Sequence, residues 1–419
     1  MQSDKLLKIL SYGAVAAVIA MMMAGTVVER LHGTDAAAQA VYHHPVFFAL
    51  WAVTAVAGMA CLLRCSGKRP VVVLLHVALL LILAGALVTH LGGVSGILHL
   101  REGETLSAFE AEDGHAVELP FSVRLDSFDI EYYPDSRIPS DYISDVTFLP
   151  GSSFAGSDSS FAGLTGESPA TISMNHIAKL GGYRFYQADY DADGAGSVLA
   201  VSHDPWGVGI TYAGYLLLLA SMIAYFFDPN SAFRAARAAL RRRKEPGRRR
   251  KVWTWALAAG SVTLLVLWLV KVFPKGNLMP VLRSPLLVVH VVPIIVSYTL
   301  FALTTLLGLV GLVLPAEKAE RLRNVNLSVL YPAVFLLTFG TFLGGVWANI
   351  SWGNYWSWDP KETWALATLM IYSFPLHGSA LPVFRNPRFF HAFCVVAFLA
   401  VLVTYYGVNL ILGGVHSYA

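Results

Sequence analysis

A chain of 419 residues that is 56% hydrophobic and only 14% charged cannot cover a soluble surface, which takes roughly a quarter charged residues. The same apolar content excludes a disordered chain, three cysteines exclude a disulfide scaffold, and a net charge of +3 gives no reason to expect a nucleic-acid partner. A membrane protein remains.

Apolar runs of about 20 residues, long enough to cross a bilayer as helices, fall near 6–28, 45–63, 70–92, 206–227, 253–273, 285–314, 328–349, 363–380 and 390–412. The first follows Lys5 and Lys8 but is too long for a signal-peptide core and lacks a clean cleavage site, so it reads as an anchor. Arg64, Lys68 and Arg69 lie between the second and third runs. Arg234 to Lys251 lie between the fourth and fifth, and Lys318, Arg321 and Arg323 between the sixth and seventh. If every run spans, all three loops share the cytoplasmic side, which puts the N-terminus inside and the C-terminus outside. The basic run 234–251 reads as a topology signal in contact with anionic membrane lipid.

Residues 93–205 break the pattern, holding 18 of the 27 acidic residues against five Lys or Arg and no spanning run. Stretches such as Phe121 to Phe128 and Gly182 to Gln187 alternate or bunch aromatic and β-branched residues between Gly, Pro, Ser and Asp, so this outer domain reads as β-rich. The expected fold is therefore an α-helical polytopic membrane protein of about nine transmembrane helices with a β-rich extracytoplasmic domain. Its divisions are 1–92, 93–205, a fourth span and basic linker at 206–252, and a second membrane unit at 253–419.

The densest chemical signal lies between the seventh and eighth runs, where Trp352, Tyr355, Trp356, Trp358 and Trp364 fall within 13 residues. An aromatic belt at the headgroups needs only one or two such residues per helix end. Asp359 as N-cap, Pro360 at the first helical position and Glu362 at the third predict a capping box that starts the eighth helix. Aromatic rings held against a fixed helix end suit a large planar ligand with polar edges, a porphyrin foremost.

Histidine is the second signal. His76 and His377 lie inside the third and eighth runs, within roughly 10 Å of the inner boundary at about 1.5 Å per residue. They read either as two separate histidines bonded to helix carbonyls or as a pair sharing one iron. His290 and His416 fall on the outer side with the tryptophans, while His391 is expected at the inner interface. His43 and His44 make a weak metal signal, and His90 a solvated or core-satisfied residue. No Cys-x-x-Cys is present, so neither a thiol–disulfide centre nor a covalent haem motif is expected.

The string W-G-x-Y-W-x-W-D-P-K-E-T-W at 352–364 resembles the tryptophan-rich WWD haem-handling segment, in the form found in system II cytochrome c synthases of the CcsA or ResC type. The resemblance extends to Ser284-Pro-Leu-Leu-Val-Val-His290 and to Gly407-Val-Asn409 through His416-Ser-Tyr418. The first half is similar to the CcsB or ResB partner at His76, Arg101-Glu-Gly-Glu104, Pro139 to Asp145, Met174-Asn-His176 and Phe185-Tyr-Gln187. What this implies is a compact fusion of both partners in a bacterial cytoplasmic membrane, acting as a holocytochrome c synthase. Haem b, the transported substrate, would be held by His76 and His377 and then by His290 and His416 beside Trp352, Tyr355, Trp356, Trp358, Asp359 and Trp364. The implied partners are an apocytochrome c with a Cys-x-x-Cys-His motif and a thiol-reducing protein. Gly378-Ser379 follow the inner histidine where the family often has a basic residue, which leaves Arg64, Lys68, Arg69, Arg385 and Arg388 as candidates for the propionates. A transporter handing haem to a chaperone and a cytochrome b-like electron carrier are the alternatives.

Overall fold

The computed structural model describes residues 2–65, 69–151, 166–241 and 285–413. In chain order the helices are α1 (Gln2–His32), α2 (Pro45–Cys65), α3 (Pro70–Gly92), α4 (Gly207–Phe227), α5 (Ala232–Arg241), α6 (Pro285–Val313), α7 (Ala316–Trp352), α8 (Pro360–Ser373) and α9 (Pro387–Leu402), which continues as a wider π-helical segment, Val403–Leu412. Prolines 45, 70, 285, 360 and 387 each open a helix, where a missing N–H costs nothing and the fixed φ suits the first turn.

Seven helical segments among the described residues are long and apolar enough to cross a membrane. They correspond to the expected runs with two exceptions. The fifth, 253–273, lies outside the described residues. The eighth, expected over 363–380, is the 14-residue α8 followed by one 3₁₀ turn, Phe374–His377. At about 1.5 Å per residue α8 is about 21 Å long, short of a core of about 30 Å. Its early end has a local cause: Pro375 has no N–H to continue the ladder.

Small residues set the helix spacing. A Cβ on Gly85 of α3 would meet the Thr211 side chain and, at 2.6 Å, its backbone nitrogen, so α3 and α4 touch backbone to backbone. On α7 a Cβ at Gly340 would lie 2.9 Å from the carbonyl oxygen of His290. Ala78, Leu218, Phe301, Leu330, Leu337, Tyr372 and Phe390 share one buried core, which joins α3 and α4 to α6–α9.

Between α3 and α4 the chain forms eight strands: β1 (Val94–Arg101), β2 (Thr105–Ala111), β3 (Ala116–Tyr132), β4 (Pro139–Pro150), β5 (Ser168–Ser173), β6 (Ala178–Leu180), β7 (Tyr183–Tyr190) and β8 (Gly196–His203). They make one antiparallel sheet in the order β5-β4-β3-β2-β1-β8-β7-β6. The sheet curls until its edges approach, with a backbone bridge between Ser173 and His176 and the Ser144 hydroxyl of β4 reaching Ser197 of β8 at 2.7 Å. Phe121, Val123 and Leu125 point inward on alternate positions. A bulge at 125–127 then shifts the register by one, so Phe128 returns to the core.

Candidate functional site

His76 projects from α3 and His377 from the turn after α8, and their ring centroids are 6.0 Å apart at 81°. Each Nδ1 bonds the carbonyl four residues earlier, His76 to Val72 and His377 to Ser373, both at 2.8 Å. A carbonyl can only accept, so Nδ1 carries the proton and Nε2 the lone pair, the tautomer that ligates a metal through Nε2 with an orienting partner behind it. The rings are thus carbonyl-bonded, as one of the two sequence alternatives has it, and they also lie beside each other. Tyr12 of α1 packs edge-on against His377 at 5.9 Å. Of the proposed propionate partners, Arg385 donates Nε to the Gly378 carbonyl at 3.1 Å, which places its guanidinium at the turn following His377. Thirteen residues up α3, about 20 Å along its axis, Thr89 accepts from Tyr355 of the tryptophan-rich loop at 3.0 Å, so the pair lies well below that loop.

At the upper end, His290 of α6 repeats the pattern. Its Nδ1 donates to the Leu286 carbonyl at 3.1 Å. Its ring stacks on Trp347 of α7 (5.1 Å, 23°), which meets Trp352 edge-on at 4.9 Å. Gly344 leaves room for the imidazole, because a Cβ there would lie 3.3 Å from its Cδ2. Trp347 had no signal in the sequence, since one tryptophan in an apolar helix reads as core. His416 lies outside the described residues. The segment leading to it is tied to the loop: Lys361 Nζ donates to Asn409 Oδ1 at 2.8 Å, in the π-helical turns common at functional sites.

The loop side chains divide. Asp359 caps α8 as expected, accepting from Lys361 N at 2.8 Å. Glu362 reaches back to the backbone N–H of Ser357 at 2.9 Å, a wider loop than a capping box. Tyr355 and Trp364 turn into the protein, the latter donating its indole N–H to Thr26 of α1 at 3.1 Å. Trp352, Trp356 and Trp358 are half-buried. Trp358 holds a left-handed backbone (φ 60°), unusual for a bulky residue, with its ring stacked on Tyr42 (5.0 Å, 7°) and edge-on to Trp356 (5.7 Å). His391, expected at the interface, is fully buried in the bundle: its Nε2 bonds the Ala319 carbonyl at 3.1 Å, and its ring fills the space a side chain at Gly311 would occupy. His43 and His90, distant in sequence, lie 5.6 Å apart.

The residues fit a haem. Buried indole N–H groups of Trp347 and Trp356 have no hydrogen-bond partner among the described residues, a cost that an acceptor on a bound ligand would relieve. Cys61 and Cys394 are buried.

Residues 210–416 match the family described as Cytochrome C assembly protein, and residues 64–204 match the ResB-like family. Over 153 residues, 34% of the chain, the sequence is 40% identical to Protein NrfI of Wolinella succinogenes, of which it covers 17%. It is 40% identical over 152 residues to the cytochrome c biogenesis protein CcsA of Chlamydomonas reinhardtii, covering 34% of the chain and 42% of that protein. To CcsA of Synechococcus sp. (strain CC9902) it is 35% identical over 176 residues, covering 34% of the chain and 58% of that protein. The chain spans less than two thirds of the length of each of these relatives.

Proposed function

The chain joins a ResB-like segment to a cytochrome C assembly segment, and from that premise we propose that it exports haem b across a bacterial cytoplasmic membrane and attaches it to apocytochrome c. His76 and His377 receive haem near the cytoplasmic face, with Arg385 bonded to the turn after His377. His290 and His416 hold it near the outer face, where Trp347 and Trp356 offer their indole N–H groups to its acidic edge. In this reading the outer domain and the C-terminus lie outside, the side the loop charges favour when every apolar run crosses.

Bound haem supplies the iron and the two vinyl groups. The chain's own part is to bind, orient and shield, which lets an otherwise bimolecular addition proceed from a fixed geometry. Each cysteine S–H of a Cys-x-x-Cys-His segment adds across one vinyl double bond, the sulfur to one carbon and the proton to the other, so two thioethers form with no net oxidation or reduction. The substrate's thiols must arrive reduced. A separate thiol reductant is assigned that task, because this chain has no Cys-x-x-Cys. The substrate's own histidine then competes for the iron and favours release.

The observation that carries this reading is that His76, His377 and His290 all place Nδ1 on the carbonyl four residues back, with the first two facing each other. Co-expression with a Cys-x-x-Cys-His substrate in a host lacking other maturation proteins tests it. The expected product is a cytochrome whose haem survives denaturing electrophoresis. A substrate without covalent haem, beside a haem-loaded membrane protein, would instead mark a transporter or an electron carrier.

A further inference from the structure

Asn349, in the last turns of α7 and 2% exposed, has partners on Oδ1, on Nδ2 and on its backbone carbonyl, and two of those partners come from the outer domain. Its Oδ1 accepts from Arg184 of β7 at 2.7 Å and from the Tyr212 hydroxyl of α4 at 3.1 Å. Its Nδ2 donates to the Gly353 carbonyl at 3.1 Å, and its own carbonyl accepts from the Tyr186 hydroxyl of β7 at 3.2 Å. Gly353 ends α7 in the left-handed conformation (φ 82°), and the Tyr186 ring fills the place of its missing Cβ. The turn that starts the tryptophan-rich loop is thus gripped from outside by one strand.

An amide is required at this point. One face must accept from Arg184 and Tyr212 while the other donates to Gly353, and no carboxylate does both. Burial pushes the Tyr186 phenol up, so its hydroxyl remains a donor at ordinary pH.

We propose that β7 of the outer domain is a positioning element of the tryptophan-rich site: Arg184 and Tyr186, acting through Asn349, fix the end of α7 that carries Trp352 and set the direction in which residues 353–358 leave it, and so present Trp352 and Trp356 to the haem at His290. This rests on the function proposed above, and it gives the ResB-like half a part in the chemistry of the other half. Arg184 and Asn349 touch neither iron nor substrate. They act through the loop.

The test uses the full chain in membranes with a Cys-x-x-Cys-His substrate. Asn349→Asp keeps the acceptor for Arg184 but turns an oxygen toward the Gly353 carbonyl. It is expected to lower attachment about tenfold or more, the scale seen when an orienting partner is lost, and to shift the absorption of the outer haem. Haem retained in a His290→Ala background, which reports the inner pair, should stay unchanged, as should protein abundance. Arg184→Lys should retain intermediate attachment, and Arg184→Ala should match Asn349→Asp. Wild-type attachment and spectrum in Asn349→Asp would overturn the proposal, and so would equal loss of both haem populations or of the protein, which would make the junction merely structural. If His290→Ala alone leaves outer haem intact, the functional reading fails first and the positioning role with it.

Discussion

Replacing His290 with Ala is expected to abolish most haem attachment while leaving the fold intact. The ring occupies a space bounded by Gly344 and Trp347, and its loss leaves a cavity a small ligand can enter. Loss of an orienting partner alone costs a metal site roughly 10–100-fold, so removal of an iron ligand should cost at least that. Added imidazole should restore attachment in part, because it supplies the missing nitrogen without the backbone. A purely structural histidine would not be rescued this way. Undiminished attachment in His290→Ala would remove the ligand role.

Replacing His76 or His377 should lower the total haem carried by the purified protein before any effect on attachment is considered. The two rings face each other across 6.0 Å, and each is oriented by its own helix carbonyl, so one without the other is half a site. Either single variant should therefore lose nearly as much haem as the double, the non-additivity of groups that act together. Additive, modest losses would mean that the rings bind independently or not at all.

Much of the architecture was legible because a bilayer asks for long apolar runs, and a sheet facing water asks for alternation. The eighth helix was overdrawn: the run of apolar residues continues past Ser373, but Pro375 ends the helix before the composition does. Three of the four histidines proposed as ligands lie within the described residues. All three sit on one helical turn's worth of carbonyl support, a pattern no sequence period displays. Side-chain direction in the loop was the harder matter. Trp364 and Tyr355 share the motif with Trp356, yet they face Thr26 and Thr89, because α1 and α3 dock there. Trp347 and Asn349 were invisible for the opposite reason. Each is a single residue in an ordinary apolar helix, and its meaning comes from a ring or strand distant in the chain. His391 shows the same limit, since its burial depends on Gly311 of another helix.

In the proposed function, imidazole pairs hold haem at two levels of this bundle. The absorption spectrum of the full chain, extracted in detergent from haem-replete cells, tests it most directly. Low-spin bis-imidazole bands are expected, diminished in His76→Ala and in His290→Ala and lost when both are combined with His377→Ala and His416→Ala. A colourless wild-type protein, or a fourfold variant that keeps its bands, would contradict it.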